Sequence, residues 1–246
     1  MEHGLIKSII YEQHDLIASM EIVDRDYTFE QKANYVLVGL RRAGKTTLLY
    51  KKVKDLIAAG TEWERIIYIN FEDERLIGFN VEDFNDILQV ASELSDKKAY
   101  FFFDEIQIVD GWEHFVRRLA DSKEQVWITG SNAKMLSKEI ASTLGGRFLV
   151  KYIEPYHFGE YLDALNLTHD EKALLTTKQK GRIVRSFEQY LNYGGFPESL
   201  MYQAKREYIA GVYQKILLGD VVSRNKLRHD TAINMLVKKN CRVCSQ

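Results

Sequence analysis

Between Gly39 and Thr46 the chain reads Gly-Leu-Arg-Arg-Ala-Gly-Lys-Thr. The apolar run Tyr35–Val38 precedes it, and a stretch of helical periodicity from Thr47 to Ala59 follows. The pattern G-x-x-x-x-G-K-[ST] in that setting constrains the fold more than any other feature. It works only where a buried strand delivers the backbone to the positive end of a helix. Glycines let the chain turn tightly enough for successive N–H groups to face inward on a phosphate chain. The expected nucleotide contacts are therefore Gly39, Leu40, Arg41, Arg42, Ala43, Gly44, Lys45, Thr46 and Thr47. Lys45 is the point charge for the β- and γ-phosphates, and the Thr46 hydroxyl is a ligand for Mg²⁺. Binding of a nucleoside triphosphate is the first expectation.

The rest of the first 154 residues alternates strand and helix. An amphipathic helix with Leu5, Ile6, Ile9, Ile10, Leu16 and Ile17 on one face opens the chain. After the loop and its helix come the strands Ile66–Ile69, Ala99–Phe103, Val126–Ile128 and Phe148–Ile153, with helices between them. Two patterns read as helix caps, Asn80 with Asp83 and Asp110 with Glu113. The Ala99–Phe103 run is apolar on both faces, as a central strand of a covered parallel sheet must be. This alternation predicts βαβ units in a three-layer α/β sandwich. Beyond Pro155 only helical stripes recur: Phe158, Tyr161, Leu162 and Leu165; Ile183, Val184, Phe187 and Leu191; Ile209, Val212, Tyr213, Ile216 and Leu217. The expected organisation is a core over 1–154, a helical lid over 155–218, and a further segment over 219–246.

The third strand ends in Asp104-Glu105, 58 residues after Thr46. An aspartate there suits Mg²⁺, and the neighbouring glutamate suits activation of the water that attacks the γ-phosphate. That glutamate favours hydrolysis over phosphoryl transfer to a metabolite. The polar end of the fourth strand, Thr129, Ser131 and Asn132, is expected beside Asp104, where Ser131 or Asn132 senses the γ-phosphate. Arg147, behind Gly145 and Gly146, is a candidate arginine finger for its own nucleotide or a neighbour's. Asn225-Lys226-Leu227-Arg228 lacks the closing Asp of a guanine reader, which tilts the base toward adenine.

The net charge is −1, unevenly spread: residues 1–150 carry 19 basic and 25 acidic side chains, and residues 151–246 carry 15 and 10. The basic stretch Arg224, Lys226, Arg228, Lys238, Lys239 and Arg242 is a candidate contact for DNA phosphates. Cys241 and Cys244 are the only cysteines; a single C-x-x-C with no second pair cannot close a four-ligand zinc site. No run reads as a signal peptide or a membrane span, so a cytoplasmic location is expected and no membrane partner.

Several segments occur in one order: Gly-Leu-Arg-Arg-Ala-Gly-Lys-Thr-Thr-Leu-Leu (39–49), Asn-Phe-Glu-Asp-Glu-Arg (70–75), Phe-Asp-Glu-Ile-Gln (103–107), Thr-Gly-Ser-Asn (129–132), Gly-Gly-Arg-Phe (145–148), Pro-Tyr-His-Phe-Gly-Glu-Tyr-Leu (155–162) and Tyr-Gly-Gly-Phe-Pro-Glu (193–198). That succession resembles the predicted prokaryotic ATPases of the AAA superfamily that carry a C-terminal domain of unknown function. The resemblance implies a P-loop core with sheet order 5-1-4-3-2 and ATP with Mg²⁺ as cofactors. By motif position it implies roles for Gly39, Gly44, Lys45 and Thr46 at phosphate and metal, and for Asp104 at the metal. It likewise implies Glu105 at the water, Ser131 or Asn132 as sensor, and Arg147 as finger. Family members run longer, and Asp220–Arg224 resembles the entrance to their last domain, so a truncated chain is expected. The leading expectation is an Mg²⁺-dependent ATPase acting as a nucleotide-driven switch, with self-association through Arg147 and a DNA or protein partner through the C-terminal region. A DNA-associated ATPase, a small-molecule kinase and a nucleotide-binding module without hydrolysis stand as alternatives.

Overall fold

Along each strand, side chains alternate between two apolar layers, and this double burial decides the architecture. The computed structural model describes residues 1–131 and 142–216. Asn132, Leu217, the basic stretch from Arg224 to Arg242, the Asn225–Arg228 motif, the segment 219–246 and both cysteines lie outside the described residues. The chain divides into two compact units, one from Met1 to Pro197 and a second beginning at Glu198.

The first unit holds strands β1 (Asn34–Gly39), β2 (Ile66–Asn70), β3 (Tyr100–Asp104), β4 (Gln125–Ser131) and β5 (Phe148–Ile153). They form a parallel sheet in the order β2-β3-β4-β1-β5, the expected order read from the other edge. Its helices are α1 (His3–Ser19), α2 (Lys45–Ala58), α3 (Phe84–Leu94) and α4 (Trp112–Asp121), followed by α5 (Phe158–Ala164), α6 (Glu171–Leu174) and α7 (Thr177–Tyr193). On one face Val36, Val38, Ile67, Ile69, Phe101 and Phe103 pack with Phe84 and Ile87 of α3 and Phe115 and Val116 of α4. On the other, Tyr35, Leu37, Tyr68, Phe102 and Trp127 pack with Leu48, Leu49 and Val53 of α2. Burial on this scale, about 25 cal/mol per Å² of apolar surface removed from water, is the main force holding the layers together.

Helix α1 contributes to both layers, Ile6, Ile9 and Ile10 to one and Ile17 to the other, and packs along β2. It thereby covers one edge of the sheet. The expected stripe differs at one position: Leu16 is 41% exposed, and His14 takes the buried place. The His14 Nε2–H donates to the Ile66 carbonyl at 2.7 Å, and its ring centroid lies 5.0 Å from that of Trp63. Burial lowers its pKa below the ordinary 6.5. The unfolded chain then takes up the proton first, so stability is retained above pH 6.5 and declines as pH falls through that value. Urea midpoints measured from about pH 7 to 5 should fall more steeply for the native chain than for His14→Gln. Parallel profiles would remove His14 from the account.

Two further expectations change. Asn80 and Asp83 do form a reciprocal cap, on the short turn Val81–Asp83 that leads into α3. Asp110 does not cap α4; Gly111 at φ 81° occupies that position and supplies no side chain. The α7 stripe is also not a core stripe: Ile183 is buried, whereas Val184, Phe187 and Leu191 are 49%, 44% and 67% exposed. Only a narrow face of α7 meets α5, where the Phe187 ring stands edge-on to Phe158 at 5.0 Å. In the second unit, α8 (Lys205–Gln214) buries Val212 alone among the described residues of its expected stripe, and the Tyr208 hydroxyl donates to Glu198 at 3.2 Å.

Candidate functional site

Sheet order brings the two sequence motifs together. Because β4 lies between β1 and β3, the carboxyl ends of the motif strands are about 9–10 Å apart, two strand spacings. In an open parallel sheet that end, where the strand order reverses, is where ligands bind. From β1 the chain passes through residues 39–44 and enters α2 at Lys45, two residues earlier than the helical periodicity implied. Gly44 at φ 96° caps the helix, and Arg42 also lies in the left-handed region at φ 62°. Gly39 is required for another reason. A Cβ built on it would lie 2.1 Å from the carbonyl oxygen of Ile153, the last residue of β5.

Thr46 and Asp104 converge: the Thr46 hydroxyl donates to Asp104 Oδ2 at 2.7 Å. Asp104 is almost wholly buried and takes two more hydroxyls, Tyr68 at 3.2 Å and Thr129 through Oδ1. Burial pushes the carboxyl above its ordinary value, while the donating hydroxyls of Thr129 and Thr46 act against it. Burial likewise raises the Tyr68 phenol well above its ordinary value, so it stays a proton donor. A hydroxyl and a carboxylate side by side are hard oxygen ligands. Mg²⁺ is typically held by one or two such groups completed by water and substrate phosphate, so the donor set fits that metal.

Glu105 follows with an αL backbone, φ 52°, unusual for a non-glycine residue and characteristic of sites where strain serves positioning. Its N–H donates to Thr129 Oγ1 at 2.9 Å, and its Oε2 accepts from Gln107 Nε2 at 2.5 Å. Its Oε1 lies 3.7 Å from the Lys45 ammonium, which donates to the carbonyls of Gly39 and Leu40 at 3.3 and 3.2 Å. Lys45, Thr46, Asp104 and Glu105 thus meet at one point. Arg41 reaches Glu72 at 3.5 Å, which ties the loop to the acidic segment after β2.

The polar end of β4 does lie beside Asp104, and Thr129 is the side chain that reaches it, bridging Asp104 and the Glu105 backbone. Ser131 is paired in register with Gly39, at the mouth of the loop. Arg147 lies elsewhere. It precedes the first residue of β5, its carbonyl accepts from Asn34 at the start of β1, and its guanidinium pairs with Asp121 at 2.5 Å. That is the amino end of the sheet, about 17–20 Å along β1 from the loop, beyond the reach of an arginine toward its own site.

Three participants were given no role by the sequence. Tyr68 read as a strand residue, and Gln107 only closed the Phe-Asp-Glu-Ile-Gln segment. Arg25, between α1 and β1, is a fully enclosed cation whose Nη1 donates to the Ala43 carbonyl of the loop at 3.0 Å. An isolated arginine in a polar stretch gives no sign of burial; the only hint was its place just upstream of a phosphate-loop strand.

A family model described as an AAA domain matches residues 31–162. The chain is 34% identical over 241 residues to an uncharacterized protein of Methanocaldococcus jannaschii, covering 94% of this chain and 52% of that protein. It is also 34% identical over 222 residues to an uncharacterized protein of Haemophilus influenzae, covering 89% of this chain and 52% of that one. The chain therefore spans about half the length of these curated relatives. Among solved structures, AMPPCP-bound DnaA from Aquifex aeolicus is similar at 15% identity and a TM-score of 0.39, over 90% of this chain and 69% of that one. Among the described residues no helix is long and apolar enough to cross a membrane. The matched domain takes in all five strands and the helices between them, more than half of the sequence, and the chain belongs to the AAA-domain family of P-loop ATPases.

Proposed function

We propose that this protein binds ATP with Mg²⁺, hydrolyses it, and works as a nucleotide-driven switch in the cytoplasm. The observation that carries the reading is the 2.7 Å contact between Thr46 Oγ1 and Asp104 Oδ2 beside Lys45 and Glu105. Backbone N–H groups from Gly39 to Thr47 receive the phosphates, and Lys45 exchanges the Gly39 and Leu40 carbonyls for phosphate oxygens. Thr46 and Asp104 would hold Mg²⁺, which supplies positive charge to the phosphate oxygens. Once Lys45 moves to phosphate, the Glu105 carboxylate is free to face the attacking water. The water oxygen bonds to the γ-phosphorus, its proton goes to Glu105, and the bond to the bridging oxygen breaks to leave ADP and phosphate.

In this reading Thr129 holds Asp104 and Glu105 in register, while Ser131 or Asn132 senses the γ-phosphate. Arg147, remote from its own loop, serves the nucleotide of a second copy. Residues 1–154 are the ATPase core, 155–218 the lid that moves with nucleotide state, and 219–246 part of the segment that meets the effector. Titration with a fluorescent ATP analogue should be saturable and Mg²⁺-dependent. Lys45→Ala should weaken binding about 10- to 100-fold, the worth of a hydrogen bond to a charged group. Absence of saturable binding by the native chain would overturn the reading.

A further inference from the structure

The phosphate loop has a support that neither motif contains. Arg25 lies behind it with its side chain 3% exposed, paired in a bidentate contact with Glu160, itself 4% exposed. Nε donates to Glu160 Oε1 at 3.0 Å and Nη2 to Glu160 Oε2 at 3.0 Å. Nη2 also donates to the Glu154 carbonyl just past β5 at 2.8 Å, and Nη1 to the Ala43 carbonyl at 3.0 Å. The guanidinium carbon stands 5.0 Å from the ring centroids of both Tyr27 and Tyr156. Four of the five N–H groups of this cation donate in these contacts, and pairing of this kind is what makes a buried charge pair tolerable.

Two details give the cluster a consequence for the loop. A trans peptide points its C=O and N–H in opposite directions. With the Ala43 carbonyl drawn back onto Arg25, the Gly44 N–H is aimed the other way, away from the guanidinium. The second detail is at Glu160. Its Oε2 accepts the His157 backbone N–H at 3.1 Å while its own N–H donates to His157 Nδ1 at 3.3 Å, so the carboxylate that holds Arg25 also closes the amino-terminal cap of α5. Tyr156, stacked on Arg25, is held in turn by Gly195, whose carbonyl accepts the Tyr156 N–H at 2.7 Å. One guanidinium thus joins a loop peptide, the end of β5 and the first turn of α5.

We propose that Arg25 is a positioning residue for the triphosphate, and that the Arg25–Glu160 pair is the link through which α5 responds to occupancy of the phosphate loop. The inference rests on the ATP-binding reading and deepens it. Phosphate drawing on the Gly44 N–H tightens the Ala43–Gly44 peptide in the orientation Arg25 selects. That fixes the guanidinium against Glu160 and so secures the cap of α5. In the absence of phosphate the same peptide is held from one side only.

The test compares the native chain with Arg25→Lys and Glu160→Gln by two measurements. One is the affinity for a non-hydrolysable ATP analogue with Mg²⁺; the other is amide hydrogen exchange over residues 155–164 with and without the analogue. Lysine keeps the charge beside Glu160 but cannot serve the Ala43 and Glu154 carbonyls and both carboxylate oxygens together. Glutamine keeps the shape and one acceptor oxygen, and preserves a folded protein if the lysine variant is damaged. The expected result is slower exchange over 155–164 when the native chain binds the analogue. In both variants affinity should fall about tenfold and that slowing should be lost, with exchange elsewhere in the sheet unchanged. Restraint from a merely structural pair would alter exchange equally with and without ligand. Native chain that binds the analogue with no change over 155–164, or variants that bind with native affinity and keep the change, would overturn the link and leave the ATP reading standing. A native chain that binds no nucleotide would remove both.

Discussion

Replacing Glu105 by Gln should lower ATP turnover by about 10²–10⁴-fold, the range for loss of a general base, while the affinity for ATP changes little. The substitution keeps the side chain's length and an oxygen for Gln107 Nε2, which contacts Glu105 at 2.5 Å in the native chain. What it removes is the basic oxygen that, in the proposed mechanism, accepts the proton of the attacking water. It also removes the negative charge 3.7 Å from Lys45, freeing the ammonium for phosphate, so ATP affinity is expected to hold or to rise slightly. Steady-state phosphate release and equilibrium titration with an ATP analogue separate the two quantities. Turnover within twofold of native would dismiss Glu105 as the base. A parallel loss of binding would mean instead that Glu105 holds the loop together and that its αL backbone serves the fold alone. Gln107 bears on the same outcome because its amide donates to the Glu105 carboxylate.

The second large effect is on stability. Gly39→Ala should destabilise the fold by about 3 kcal/mol or more, because the new Cβ would sit 2.1 Å from the Ile153 carbonyl oxygen. Neither party can yield cheaply. Gly39 is the last residue of β1, and Ile153 is its register partner at the end of β5. Relief requires β5 to part from β1 at the point where the phosphate loop begins, so nucleotide binding should suffer together with stability. Gly60 is the control: its φ is 93° and nothing lies within 4 Å of a Cβ built there. Gly60→Ala then carries only the left-handed backbone penalty of about 1–2 kcal/mol. Urea unfolding of the two variants distinguishes a steric cause from a conformational one. Should Gly39→Ala prove no less stable than Gly60→Ala, the close approach of β5 would not be a constraint on this loop.

Which parts of the site could be read from the sequence follows from how far each residue's partner lies along the chain. The strands, their order of appearance, and the loop with its lysine and threonine are local patterns. Alternating burial, a glycine-bounded turn and helical spacing are each written within ten residues, and all five strands stand where they were expected. Asp104 and Glu105 were legible because a strand that ends in acids is also a local sign. Thr129 was named with the polar end of β4, yet its bridging of Asp104 and the Glu105 amide depends on β3 and β4 being neighbours.

The residues that escaped are those whose role exists only across long separations. Arg25 finds Glu160 at a sequence separation of 135, and Tyr68 finds Asp104 at 36. No property of the arginine or the tyrosine alone distinguishes them from surface or core counterparts. Arg147 shows the converse: glycines on its amino side suggested reach, but register places it at the end of the sheet away from its own loop, against Asp121. Likewise the α7 stripe has the periodicity of a buried face and meets too little of its surroundings to be one. The sequence by itself determined the parallel α/β architecture and the chemistry of the phosphate loop, because both arise from contacts within a strand, a turn and a helix. The tertiary structure alone decided which cation supports that loop from behind, which hydroxyls hold Asp104, and which end of the sheet Arg147 occupies, because those follow from how strands far apart in the chain come to lie side by side.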